Sequence, residues 1–267
     1  MSKKIKFIQI GCGKMSRFTM RYALEKGYEL VGAYDINPEI INFRVDKVFS
    51  EVKSDVIIKN ISDLNNIENK SADIAIITTM SLLNDIGDVS RVLLSKGINV
   101  ITTCEEAFFP QNSNPTIFTK LDKLARKNKC VITGAGYQDV FWGNLIAVLA
   151  GATHTIKKIK GRTSYNVEDY GVALAEAHGA GMSLDEFDKK IASVDRISKQ
   201  KRQKLIDSGE YLPSYMWNTN GWLADRLGLT ITEQNQVCVP QTYKKALNSS
   251  TLGMKIPAGH ATGMSAV

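Results

Sequence analysis

Two acids, Glu105 and Glu106, stand side by side directly after the apolar run Asn99–Thr103, NVITT. A carboxylate beside a low-dielectric core is costly unless it is partnered or used, so the pair is a candidate for proton transfer. Neighbours in an extended segment point to opposite sides, so only one of the two is expected to serve. A second constellation opens the chain: the run Ile5–Ser16, IKFIQIGCGKMS, breaks at Gly11-Cys12-Gly13 and resumes as a helical pattern from Met15. Gly11 permits a sharp turn, and Gly13 lets backbone approach a pyrophosphate. The amides at Lys14 and Met15 then open a helix whose positive end points at the phosphates. Ser16 stands where the pattern GxGxxG/A wants its third small residue.

Such a glycine turn gains weight from an acid about twenty residues on, at the end of the next strand, and that place holds Asp35 after Glu29–Tyr34, ELVGAY. An acid there accepts hydrogen bonds from both ribose hydroxyls of an adenosine and repels a 2'-phosphate, which favours NAD over NADP. No Arg follows Asp35 directly, while Asn37 softens the preference and leaves NADP open.

These residues need a frame. Ligands of a doubly wound sheet lie beyond the carboxyl ends of its strands. The tails that matter are therefore Thr78-Thr79-Met80-Ser81, where Thr79 and Met80 would meet the cofactor, and Thr102–Glu106, where one acid would face the nicotinamide. Further strands are predicted at Asp55–Ile58, Ile74–Thr78, Asn99–Thr103 and Cys130–Thr133. Helices are predicted at Asp88–Lys96, closing on Gly97, and at Thr116–Lys127, with Ile117, Leu121 and Leu124 on one face. Apolar strands alternating with helices imply an α/β Rossmann fold, a doubly wound parallel sheet, over residues 1–135. At Gly134 the rhythm fails, and an α+β domain is expected over residues 136–267. It would hold a long strand at Ile156–Asn166, helices around Leu184–Ile191 and Ser214–Leu227, and extended chain at Leu229–Pro240.

Composition narrows the class. The 267 residues, 43% of them hydrophobic, suffice for two ordinary cores. No apolar run nears the roughly 20 residues that span a bilayer, and MSKKIKF enters the first strand without a signal pattern, so no membrane partner and a cytoplasmic location are expected. Cys12, Cys104, Cys130 and Cys238 show no CxxC spacing and read as reduced thiols, and with His154, His178 and His260 isolated no metal motif emerges. The net charge is +7, but its clusters at Lys157–Lys160 and Lys199–Lys204 lack interleaved aromatics. They read as solvated faces, which argues against a nucleic-acid partner and leaves the surplus to attract anionic nucleotides. His178, set among small residues and glycines in AEAHGAG, is a polar candidate for a ligand site; His260 in PAGHATGM receives no role.

NVITTCEEAFF, together with GAGYQDVFWGNL, SYNVEDYG, EAHGAG and PAGHATGM, resembles the 2,4-diaminopentanoate dehydrogenase family and its relatives, the native NAD(P)-dependent amine dehydrogenases, over the whole chain. The resemblance implies a Rossmann domain followed by an α+β domain like that of dihydrodipicolinate reductase, which forms the substrate pocket and a homodimer. It places the catalytic acid on Glu105 ahead of Glu106, and walls the pocket with Tyr137, Phe141, Trp142, Tyr165 and Tyr170. The implied reaction is oxidative deamination of a primary amine, with 2,4-diaminopentanoate giving 2-amino-4-oxopentanoate as the candidate, and reductive amination of a ketone with ammonia in reverse. Hydride loss from an amine requires its neutral form, so a base must first take a proton; the same carboxylate can then activate water. Aromatic faces add attraction for a cationic iminium. Relatives continue past Val267, so further strands of the second domain are expected beyond it. Competing readings are a dihydrodipicolinate reductase, which carries paired histidines, and a sugar dehydrogenase of the Gfo/Idh/MocA type, which has Glu-Lys-Pro where Glu105-Glu106-Ala107 stands here. A third is a silent NAD-binding sensor that would tolerate Glu105→Gln.

Overall fold

The structure is a computed structural model that describes residues 4–136, 143–210 and 215–267. The chain divides into two compact units, Met1–Val140 and Phe141–Val267.

The first unit runs β1 (Lys6–Ile10), α1 (Ser16–Glu25), β2 (Glu29–Asp35), α2 (Val45–Val48), β3 (Ile58–Asn60), β4 (Ile74–Ile77), α3 (Leu83–Ser95), β5 (Asn99–Thr102), α4 (Pro115–Asn128) and β6 (Ile132–Gly134). All six strands are parallel, in the order β3-β2-β1-β4-β5-β6, so the order reverses between β1 and β4. The strands alternate their side chains between two cores, as period-two geometry demands. Ile8 and Ile10 of β1 join Leu83, Ile86, Leu93 and Leu94 of α3, while Phe7 joins Met20 and Ala23 of α1 and Val45 of α2. Both faces are thus covered, which is why these strands read as near-continuous apolar runs. The expected α/β Rossmann class is what the structure shows.

Helix α3 closes as the sequence suggests. Gly97 takes φ +74°, its N–H donates to the Leu94 carbonyl and the Ile98 N–H donates to the Leu93 carbonyl, the paired bonds of a Schellman end. Its start lies five residues before the predicted Asp88, at Leu83. Strand β3 is shifted as well: the predicted Asp55–Ile58 gives way to Ile58–Asn60, and Ile57 makes only an isolated antiparallel bridge to Arg44.

The second unit holds α5 (Asn144–Gly151), α6 (Val172–Ala177), α7 (Leu184–Lys190), α8 (Lys199–Ser208), α9 (Tyr215–Arg226), β7 (Cys238–Thr242), β8 (Leu247–Ser249), β9 (Met254–Ile256) and β10 (Ala261–Ala266). β7 pairs with β10 and β8 with β9, both antiparallel. A capping box between Ser183 and Glu186 starts α7, whose Phe187 is buried with Cys238 and Ala261. The predicted long strand at Ile156–Asn166 is absent. That segment pairs with none of the described strands, and all of it except Thr163 and Tyr165 is exposed. Alternating residue types set a strand only where a neighbour supplies the ladder, and none of the described strands does so here. The extended stretch predicted at Leu229–Pro240 becomes a strand only from Cys238.

Candidate active site

At the end of β1, Gly11 sits at φ +79° and its N–H donates to the Tyr34 carbonyl at 2.8 Å. A Cβ there would lie 2.5 Å from Thr79 Cγ2, so the turn closes only on glycine. Gly13 differs: a Cβ added to it would meet nothing within 4 Å, so the face above the turn is open to a ligand. Ser16 is fully buried, and its hydroxyl donates to the Gly13 carbonyl at 2.7 Å, locking turn to helix. Helix α1 begins at Ser16, after the Gly13–Met15 turn, with no side-chain cap and no acid in its first turn, so its positive end faces the turn unneutralised by its own residues.

Under the turn lies a buried polar network that the sequence reading did not single out. The Gln9 amide donates to the carbonyls of Ile10 (3.1 Å) and Gly11 (2.9 Å) and to Thr78 Oγ1 (2.8 Å). Thr78 Oγ1 donates to the same Gly11 carbonyl at 3.1 Å, and Thr19 Oγ1 donates to Gln9 Oε1 at 3.1 Å. With the Gly11 carbonyl held inward, the Cys12 N–H on the other side of that peptide donates to Asp35 Oδ2 at 2.5 Å. Asp35 Oδ1 accepts from the Ile36 and Asn37 amides at 2.7 and 2.8 Å. Three backbone amides therefore aim this carboxylate, which keeps acceptor capacity for hydroxyls. Burial, and then the Asp35 charge, push the Cys12 thiol up to about 12.

The acid pair lies at the end of β5, on a 3-10 turn, Glu105–Phe108. The two side chains have different fates. Glu106 is 4% exposed: its Oε2 accepts from the Leu83 N–H at 2.6 Å, its Oε1 from Ser113 Oγ at 2.9 Å, and its own N–H donates to the Ser81 carbonyl at 3.1 Å. Burial pushes its carboxyl up from the ordinary value, opposed by bonds from Leu83, Ser113 and Asn114. Glu105 is only half-buried. The turn rests on β6 at Gly134, where a Cβ would lie 2.5 Å from the Phe108 nitrogen. Thr79 and Met80, at the end of β4, are exposed. Gly11, Asp35, Thr79 and the acid pair thus share the carboxyl edge of the sheet. The signals for the missed residues were faint: one polar residue, Gln9, inside an apolar strand, and one glycine, Gly134, at the end of another.

In the second unit, Tyr165, Tyr170 and His178 come together. The Tyr165 hydroxyl donates to His178 Nε2 at 2.7 Å, while His178 Nδ1 donates to the Leu174 carbonyl at 2.8 Å; a carbonyl can only accept, which fixes this tautomer. The two tyrosine rings meet edge to face at 5.3 Å, and Tyr165 meets His178 in the same way at 5.8 Å. Burial pushes the imidazole down, against the bond to Leu174. The neighbouring Glu168 accepts from Ser249, Ser250 and Thr251, clamping the SYNVEDYG segment to the β8–β9 hairpin, and those bonds lower its carboxyl. His260 Nδ1 donates to the Gly181 carbonyl at 3.3 Å. Tyr137, Phe141 and Trp142 lie outside the described residues. Among the described residues no cluster of three or more His, Cys, Asp or Glu could hold a metal ion.

No protein-family model matches the chain. It is 27% identical, over 193 residues, to 2,4-diaminopentanoate dehydrogenase from Acetoanaerobium sticklandii, a match that covers 71% of this chain and 54% of that protein. The chain thus spans about half the length of this curated relative. The solved structure of an amine dehydrogenase from Mycobacterium smegmatis matches with a TM-score of 0.86 and 27% identity, over 99% of this chain and 74% of that one. The resemblance read from NVITTCEEAFF and the motifs downstream is borne out by both comparisons: the chain is similar, in sequence and in fold, to the amine dehydrogenases that include 2,4-diaminopentanoate dehydrogenase.

Proposed function

We propose that this chain is an NAD(P)-dependent amine dehydrogenase, which oxidatively deaminates a primary amine and, in reverse, aminates a ketone with ammonia. The observation that carries the reading is the asymmetry of the acid pair at the end of β5: Glu106 is spent on backbone and Ser113, while Glu105 is reachable from solvent. Similarity to an amine dehydrogenase over 99% of the chain supports it.

The residues present fit a dinucleotide. The open face over Gly13 and the uncapped start of α1 suit a pyrophosphate, and the aimed carboxylate of Asp35 suits the adenosine ribose and disfavours a 2'-phosphate, which supports NAD over NADP. When bound, the nicotinamide supplies the hydride acceptor. Glu105 takes a proton from the substrate ammonium, giving the neutral amine whose lone pair expels hydride. Once that proton has passed to solvent, the carboxylate stabilises the iminium cation and takes a proton from the water that attacks it, and collapse of the resulting carbinolamine releases ammonia and the ketone. Tyr165, Tyr170 and His178, which come together within the second unit, offer an amine a face of mixed aromatic and polar character. The name of the curated relative makes 2,4-diaminopentanoate, giving 2-amino-4-oxopentanoate, the candidate substrate. A homodimer formed through the second unit and a cytoplasmic location complete the reading. Four free cysteines, and no helix among the described residues long and apolar enough to cross a membrane, agree with that location.

The deciding experiment follows NADH oxidation with 2-amino-4-oxopentanoate or a small methyl ketone, with and without a high concentration of ammonium. Consumption that requires ammonium is expected. Consumption without it would make the chain a carbonyl reductase, and NADH binding with no turnover would make it a sensor.

A further inference from the structure

We infer that Glu106 is a positioning residue that holds the carboxylate of Glu105 in place by bracing its turn against the tail of β4. The brace includes the bonds from the Glu106 N–H to the Ser81 carbonyl (3.1 Å), from the Leu83 N–H to Oε2 (2.6 Å) and from the Ser113 hydroxyl to Oε1 (2.9 Å), and Asn114, the N-cap of α4, adds to them. One residue so joins the loop after β4, the first turn of α3 and the segment leading into α4, and the residue before it carries the acid assigned to proton transfer. Leu82, at the N-cap of α3, has no side chain able to cap, so Glu106 caps the Leu83 N–H from 23 residues away, beside Asp85 of the helix's own first turn. At 4% exposure it cannot itself meet a substrate. On its other side the turn abuts Gly134 without room for a methyl group. The turn is thus fixed from both sides.

The inference rests on the reading of Glu105 as the base. Proton transfer needs hydrogen-bond reach, and a 1 Å misplacement can cost about 100-fold in rate. The test measures ammonium-dependent kcat per NADH site, with sites counted by fluorescence titration, for the native chain, Glu105→Gln, Glu106→Gln, Glu106→Met and Ser113→Ala. Removing one bond with Ser113→Ala should lower kcat about 3-fold, Glu106→Gln about 10-fold and Glu106→Met about 100-fold, with the NADH Kd and ketone KM held within about 3-fold. Wild-type kcat in Glu106→Met, or an NADH Kd that worsens in step with kcat, overturns the brace. Should Glu106→Met fail to fold, Ser113→Ala decides alone: lowered kcat at unchanged Kd supports the brace, and unchanged kcat overturns it. Full turnover in Glu105→Gln would instead remove the base and the brace together, whereas an inactive Glu105→Gln beside an active Glu106→Met removes the brace only.

Discussion

Gly11 and Gly13 are needed for different reasons, and substitution separates them. Gly11→Ala forces a side chain into positive φ and into Thr79, and should cost about 1–3 kcal/mol of stability before any ligand is added. Gly13→Ala meets no protein atom, so its melting temperature should stay at the native value while NADH affinity falls. Thermal melts paired with fluorescence titration check both, and a native NADH Kd in Gly13→Ala would remove the pyrophosphate from this turn. Gln9→Leu leaves the Gly11 carbonyl and Thr78 short of a donor and should cost about 1–3 kcal/mol. The Cys12 thiol, held up to about 12, should react with a disulfide reagent far more slowly in the native chain than in urea, roughly 1,000-fold if ionisation alone decides. Equal rates would mean that the turn opens readily. At this scale the sequence names candidate residues but not the surroundings that folding gives each of them. Composition alone makes Glu105 and Glu106 equivalent and the resemblance ranks Glu105 first; folding adds that Leu83 and Ser113 bond to Glu106.

Elements whose ends are set locally were legible, and those set from afar were not. Gly97 ends α3 through its own backbone, so the sequence displays it. The start of α3 hangs on Glu106, which no local pattern near Leu83 reveals. The segment 156–166 shows the converse, a strand-like pattern without a partner. The anchoring of α3 also carries a pH signature. The Glu106 carboxyl is raised in the folded state, so its contribution to stability is fully present below the ordinary value of 4.5 and is lost as pH rises through the raised value. Compared with Glu106→Gln, the native chain should therefore lose stability on going from pH 4.5 towards neutrality. Urea titrations of both proteins at pH 5 and pH 7 would show it, and a gap independent of pH would contradict the assignment. His178 works in the opposite sense: its folded value is lowered, so its contribution holds above the ordinary 6.5 and fades as the pH drops through that lowered value.

At the scale of the whole molecule, two compact units and a net charge of +7 shape behaviour. Lys157, Lys158, Lys160 and Arg162 are exposed on a segment without helix or strand, so trypsin should cut there first and release a fragment containing the first unit that still binds NADH. Early cleavage elsewhere, or a fragment unable to bind, would count against the independence of that unit. The parallel sheet of the first unit was readable because alternating strands and helices repeat up to Thr133; in the second unit helices α7 and α9 were readable too, whereas its short antiparallel strands leave weak periodic traces. The site in the first unit has one more property. Its parts meet only through pairings between distant stretches: Gln9 reaches Thr78 across 69 positions, Cys12 reaches Asp35 across 23, and Leu83 reaches Glu106 across another 23. Contacts so remote along the chain form late in folding. A chain still emerging from the ribosome therefore has no nucleotide site until the β1–β4 pairing closes. In a refolding experiment, bound-NADH fluorescence should rise with the slowest phase, making the cofactor a reporter of completed assembly.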